Sequence, residues 1–126
     1  METICTDKAP AAIGPYSQAV RVSNFLFCSG QLGIDPSTGK LCGKDVATQT
    51  LQVFKNIREV LAGAELQLKD VVKTTVFLSN MDGFPTVNAL YEKEFAGHKP
   101  ARSTVEVARL PLNALIEIEC IAVYNE

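Results

Sequence analysis

Long apolar runs are missing from this chain, and none approaches the ~20 residues that a membrane-crossing helix needs. The opening residues, Met1 to Lys8, lack the basic flank and apolar stretch of a secretory leader. A soluble, cytoplasmic protein is the expectation. A dominant sign of charge is missing as well: 12 Lys plus Arg against 14 Asp plus Glu give 12 − 14 = −2. No strong field draws such a chain onto phosphate backbones or anionic lipid, so neither nucleic acid nor a membrane is the expected partner.

Metal-binding and nucleophilic patterns are equally scarce. His98 is the one histidine, set between Gly97 and Lys99, which removes every two-histidine metal site; it reads as a surface turn residue. Cys5, Cys28, Cys42 and Cys120 are widely spaced with no Cys-x-x-Cys pair, so free thiols or small core residues are expected rather than a zinc site or a disulfide framework. Ser29 lies at a strand end without a Gly-x-Ser-x-Gly elbow, and Gly30-Gln31-Leu32-Gly33 is too short and wrongly placed for a phosphate-binding loop.

What is present is enough for one domain over residues 1–126 with its own core. Ser17–Val22 and Phe25–Ser29 read as strands joined at Ser23-Asn24, and Gly33–Gly43 reads as loop around Asp35-Pro36-Ser37-Thr38-Gly39. Asp45 is the expected N-cap of a helix whose apolar face runs through Val46, Val53, Phe54, Ile57, Val60 and Leu61 and which ends near Gly63. Val71–Ser79 is apolar on both alternations, as in an internal strand. A second helix, capped by Asp82 and striped with Phe84, Val87, Leu90, Tyr91 and Phe95, stops at Gly97 and Pro100. Strands over about 102–107 and 115–124 complete a ββ-α-β-α-ββ order, an α+β sheet with two helices on one face.

With both helices on one face, the other face, assigned Val71, Phe77, Ile121 and Val123, has no cover within the chain. A partner subunit would supply it; a monomer with a half-apolar face is the alternative. Arg102, Thr104 and Glu106 share one strand face, where the arginine either clasps a carboxylate with its planar fork or pairs with a sheet glutamate. Glu117 and Glu119 lie about 7 Å apart on a face that turns apolar beyond them. They are either carboxylates with raised pKa values fit for proton transfer or ordinary solvent-facing charges. Tyr16, in Gly14-Pro15-Tyr16-Ser17, either rims a site or packs on the core.

The segments from Ala9 to Ala19, Ser29 to Gln31, Pro100 to Pro111 and Ile116 to Glu119 together resemble the RidA/YjgF family. These are reactive-intermediate deaminases also described as endoribonuclease or translation-inhibitor proteins. The similarity runs from about Thr3 to Val123. It implies a chorismate-mutase-like fold in a homotrimer, the sheets forming a central barrel with the helices outside and a cleft at each subunit boundary. It further implies that Arg102 holds the substrate carboxylate, that Glu117 positions the attacking water with Glu119 in support, and that Tyr16, Ser29, Gly30, Asn88 and Thr104 line the cleft. Thr104 stands where many members have cysteine, which excludes thiol chemistry there but keeps the backbone amide. The implied substrates are 2-aminoacrylate and related 2-imino or enamine carboxylates released by pyridoxal-phosphate enzymes, with no metal or organic cofactor. An RNA-cleaving translation inhibitor and a non-catalytic trimer that binds keto acids or proteins are the competing functions.

Overall fold

The computed structural model describes residues 1–125. In chain order the elements are β1 (Glu2–Ile4), β2 (Ala19–Val22), β3 (Phe25–Leu32), β4 (Ile34–Asp35), β5 (Lys40–Leu41), α1 (Val46–Gly63), β6 (Val71–Leu78), α2 (Phe84–Phe95), β7 (Ala101–Glu106) and β8 (Ile116–Val123). Six strands make one sheet in the order β1-β2-β3-β8-β6-β7, and β4-β5 form a separate small hairpin. All neighbours in the main sheet are antiparallel except β6 and β7, which run parallel and are linked through α2.

The α+β architecture is therefore the expected one, with two additions. β1 pairs with β2 as a three-residue edge strand, too short to carry a pattern in sequence. Within the expected loop 33–43, Ile34 pairs with Leu41 and Asp35 with Lys40. Asp35 Oδ1 closes that turn by accepting from Ser37 N at 2.8 Å, and Gly39 occupies φ 73.

Asp45 caps α1 as expected, its Oδ2 accepting from Thr48 N at 2.9 Å. Asp82 does not cap α2. Asn80 Oδ1 accepts from Asp82 N at 2.9 Å and winds a 3-10 turn first, so α2 starts at Phe84 with Pro85 in its first turn. Proline lacks the N–H that a cap would satisfy. The helix ends at Phe95, capped by Ala96, left-handed at φ 52, and followed by Gly97 at φ 94.

Both helices bury their apolar faces on one side of the sheet. Phe54, Leu26, Leu61, Leu78, Ile116 and Ile118 are fully buried there, each contributing ~1.5–3 kcal/mol by removal from water. Val71 also belongs to this side: a register shift between Val71 and Lys73 turns it inward, correcting its expected place on the other face. Phe77, Ile121 and Val123 do face away from the helices, beside Phe25 and Phe27, each 46% exposed. One end of that open face is covered by a small cluster in which Leu32, Leu110 and Ala114 are buried against Ile34, Leu41, Phe77 and Val107. Among the described residues no helix is long and apolar enough to cross a membrane.

Candidate active site

Glu117 lies on β8 with Leu32 of β3 and Phe77 of β6 as its register partners, under the covered end of the open face. Apolar neighbours on both sides half-bury its side chain, and this burial, with the charge of Glu119 adding, raises its pKa above the ordinary glutamate value. A register shift between Cys28 and Gln31 brings Gly30 against the same side chain. A Cβ at position 30 would fall 2.8 Å from Glu117 Cδ and 2.9 Å from Cγ, so only glycine leaves the carboxylate in place. Glu117 is thus half-buried with a raised pKa, whereas Glu119, its neighbour two residues on, is exposed.

Ser29 and Tyr16 flank this carboxylate in a cleft of about 680 Å³ that Gly30, Leu32, Ile13 and Leu112 also line. Ser29 Oγ donates to Ser17 O at 2.6 Å, so its proton is committed and it presents only lone pairs. Tyr16 is 54% exposed and stands at the rim rather than in the core. The arm that carries it is tied down by a residue the sequence did not single out. Gln18, almost fully buried, accepts from Thr6 N at 2.7 Å and donates to Thr6 O at 3.0 Å and Pro10 O at 2.8 Å. A buried glutamine at the start of a strand offers no spacing signal, which is why it escapes a sequence reading.

Arg102 stands at the start of β7 and reaches toward α2. Its Nη1 donates to Asn88 Oδ1 at 2.8 Å, and its guanidinium carbon lies 4.8 Å from the Tyr91 ring centre and 5.2 Å from that of Phe84. Phe84, Asn88 and Tyr91 fall at i, i+4 and i+7 on one side of α2, a spacing visible in the sequence once Arg102 is known to lie over it. Tyr91 is itself fixed by a 2.6 Å hydroxyl contact with Thr74 and by packing on Phe54 and Phe95. The salt bridge among the described residues is Arg58–Glu94, so Arg102 is not spent on a sheet glutamate. Glu106, which shares its face, accepts instead from Met81 N at 2.7 Å.

Thr104 also shares Arg102's face, and its Oγ1 is buried with no hydrogen-bond partner among the described residues. His98 does sit in the turn after α2, yet is more engaged than a surface residue: its Nε2 lies 2.6 Å from Val71 O, and it lines a second cleft of about 410 Å³ with Asn88, Tyr91 and Arg102. The four cysteines are free, with Cys28 directly opposite Cys120 on adjacent strands. Contact with Cys28 and burial push the Cys120 thiol up, which keeps it protonated and inert.

The expected site residues thus separate into two groups. Arg102 pairs in register with Thr74, which faces the helices, whereas Glu117 pairs with Phe77, three residues further along β6 and so on the opposite face. Tyr16, Ser29, Gly30 and Glu117 share one cleft, and Asn88 and Arg102 share the other. A single chain does not bring the arginine fork to the desolvated carboxylate.

A model of the family described as Endoribonuclease L-PSP matches residues 6–124. The chain is 53% identical over 121 residues to Reactive Intermediate Deaminase A, chloroplastic, of Arabidopsis thaliana, a match that takes in 96% of this chain and 65% of that longer protein. It is 50% identical over 125 residues to the 2-iminobutanoate/2-iminopropanoate deaminase of Escherichia coli K12, covering 97% of each. A crystal structure from Thermotoga maritima superposes with a TM-score of 0.96 at 51% identity, covering 100% of this chain and 99% of that one. With the family model, half-identical relatives and a near-coincident fold all spanning almost the whole sequence, the chain belongs to the endoribonuclease L-PSP family, the RidA/YjgF group that its motifs resemble.

Proposed function

We propose that this chain, acting as one domain, hydrolyses 2-imino acids and their enamine tautomers to 2-keto acids and ammonia, in clefts completed between copies of a homotrimer. The observation that carries the reading is the Glu117 carboxylate, desolvated against Gly30 and flanked by Leu32 and Phe77. A carboxylate whose pKa is raised by burial is a stronger proton acceptor than a free one and can return the proton it takes, as imine hydrolysis requires. The relatives named 2-iminobutanoate/2-iminopropanoate deaminase and Reactive Intermediate Deaminase A support the substrate class.

In this proposal Arg102 binds the substrate carboxylate through two parallel N–H donors, its orientation preset by Asn88 and the rings of Phe84 and Tyr91. Glu117 of a neighbouring copy accepts a proton from water as the oxygen attacks C2, giving a carbinolamine. With the imine nitrogen protonated at the outset, that carbinolamine is neutral; Glu117 then passes its proton to the amino nitrogen, the C–N bond breaks, and ammonia leaves as the C2 hydroxyl gives its proton back to the Glu117 carboxylate and becomes the keto group. Tyr16, Ser29 and Gly30 line the water side and Asn88 the carboxylate side, with Thr104 two residues along β7 from Arg102 and on the same strand face. The exposed Phe25 and Phe27 support burial of the open sheet face by another copy. The free thiols suit a reducing, cytoplasmic setting.

The family's description favours one second reading, RNA cleavage. A net charge of −2 and a lone histidine drawn toward the Val71 carbonyl weigh against it. One preparation tests both: a pyridoxal-phosphate dehydratase coupled to keto-acid appearance, and an RNA-cleavage assay. Keto-acid release accelerated by the parent and lost, ~100-fold or more, in Arg102→Lys and Glu117→Gln is the expected result. RNA cleavage without acceleration would replace the deaminase reading.

A further inference from the structure

One strained turn and two exposed aliphatic side chains frame the cleft beside Glu117. Leu112 sits at φ 58, ψ 20 and Asn113 follows at φ 54, so two successive residues bearing a Cβ occupy the left-handed region. Asparagine tolerates that conformation; leucine has no local reason to adopt it. The turn is held from both ends: Asn113 N donates to Leu110 O at 3.1 Å, Ala114 N to Pro111 O at 3.0 Å, and Leu115 N to Gln49 Oε1 of α1 at 2.8 Å. Leu110 and Ala114 are buried and the three residues between them are exposed, with Leu112 61% exposed at the turn's centre. Ile13, 87% exposed, stands on the arm that Gln18 pins and lines the same cleft.

Apolar side chains held in solvent at a cleft mouth, one of them at a backbone penalty, are worth keeping where something binds them. The described residues lining this cleft include Glu117 and Glu119 and no lysine or arginine. A substrate whose α-carboxylate is taken by Arg102 and whose C2 lies at Glu117 has one substituent left to place, its side chain. On the Glu117 side of the cleft an apolar side chain meets Ile13 and Leu112, whereas an acidic one meets the carboxylates of Glu117 and Glu119.

We infer that Leu112 is a specificity-determining residue: with Ile13 it forms an apolar lip that selects 2-imino acids with aliphatic side chains over those with acidic ones. The inference rests on the deaminase reading and adds the substrate's side-chain class to it. The test generates imines in situ with an amino-acid oxidase from leucine and from glutamate and compares kcat/KM for the two. The parent prefers the leucine imine. Leu112→Lys lowers that preference about tenfold by placing a cation at the lip. Leu112→Gly lowers it as well, while melting no lower than the parent because glycine adopts φ 58 without strain. A parent active on both imines whose preference moves less than twofold in both variants overturns the role of Leu112 and leaves the deaminase reading standing. A parent active on neither imine overturns both.

Discussion

At the scale of single residues, the raised pKa of Glu117 makes a signed prediction. Burial is the larger cause and Glu119 the smaller, so the folded chain holds this proton more tightly than the unfolded chain does. The stabilising contribution is full below the unfolded value, ~4.3, and is lost as pH rises through the higher folded value. Glu117→Gln should therefore show a flatter stability profile than the parent above about pH 4 and be the more stable of the two at neutral pH. Urea melts across that range check it, and parallel profiles would remove the desolvated carboxylate from the account. The activity of the parent should rise with pH through an inflection above the ordinary glutamate range. The Glu117 face was legible in the sequence because strand alternation puts it beside Glu119 and ahead of apolar residues. The Gly30 contact was not, because a register shift between Cys28 and Gln31 creates it and no residue type announces that shift.

At the scale of elements, α2 does more than cover the sheet. Its Phe84, Asn88 and Tyr91 set the arginine, so Tyr91→Leu should raise KM about tenfold with a smaller change in kcat, the pattern for loss of carboxylate binding. Tyr91→Phe keeps the ring and loses only the Thr74 contact, and should keep most of the affinity. Steady-state kinetics on both variants decide it; equal losses of kcat in the two would mark Tyr91 as core alone. The sequence displayed the Phe84–Tyr91 stripe but read it purely as core, since periodicity reports a buried face and cannot say which strand's side chain lies across it. Asp45 was readable as a cap because it stands directly ahead of the apolar periodicity that begins at Val46; Asp82 misled because Asn80 begins a turn two residues earlier. The edge strand β1 and the β4–β5 hairpin were hidden by their length, three and two residues per strand.

At the scale of the whole molecule, the ββ-α-β-α-ββ order and one-sided helix layer followed from pattern alone. That left a sheet face with Phe25, Phe27, Ile121 and Val123 turned outward. Val71 was misassigned because strict alternation fails at the β6 shift. The separation of Arg102 and Glu117 onto opposite faces was readable only through register, which needs the parallel β6–β7 and antiparallel β6–β8 pairings together.

That separation has a consequence for mixtures. On the roles proposed above, a chain inactivated at Arg102 still carries an intact Glu117 half, and a chain inactivated at Glu117 still carries an intact Arg102 half. Two preparations, each dead alone, should regain function when Arg102→Ala and Glu117→Gln subunits are unfolded together in equal amounts and reassembled. In a closed ring where each cleft draws one half from each of two neighbours, chance pairing makes roughly one cleft in four whole. Recovered activity near that fraction of the parent's, absent when the two are mixed without unfolding, would mean that the catalytic unit is the boundary between chains and that one defective copy of the gene can be complemented by another.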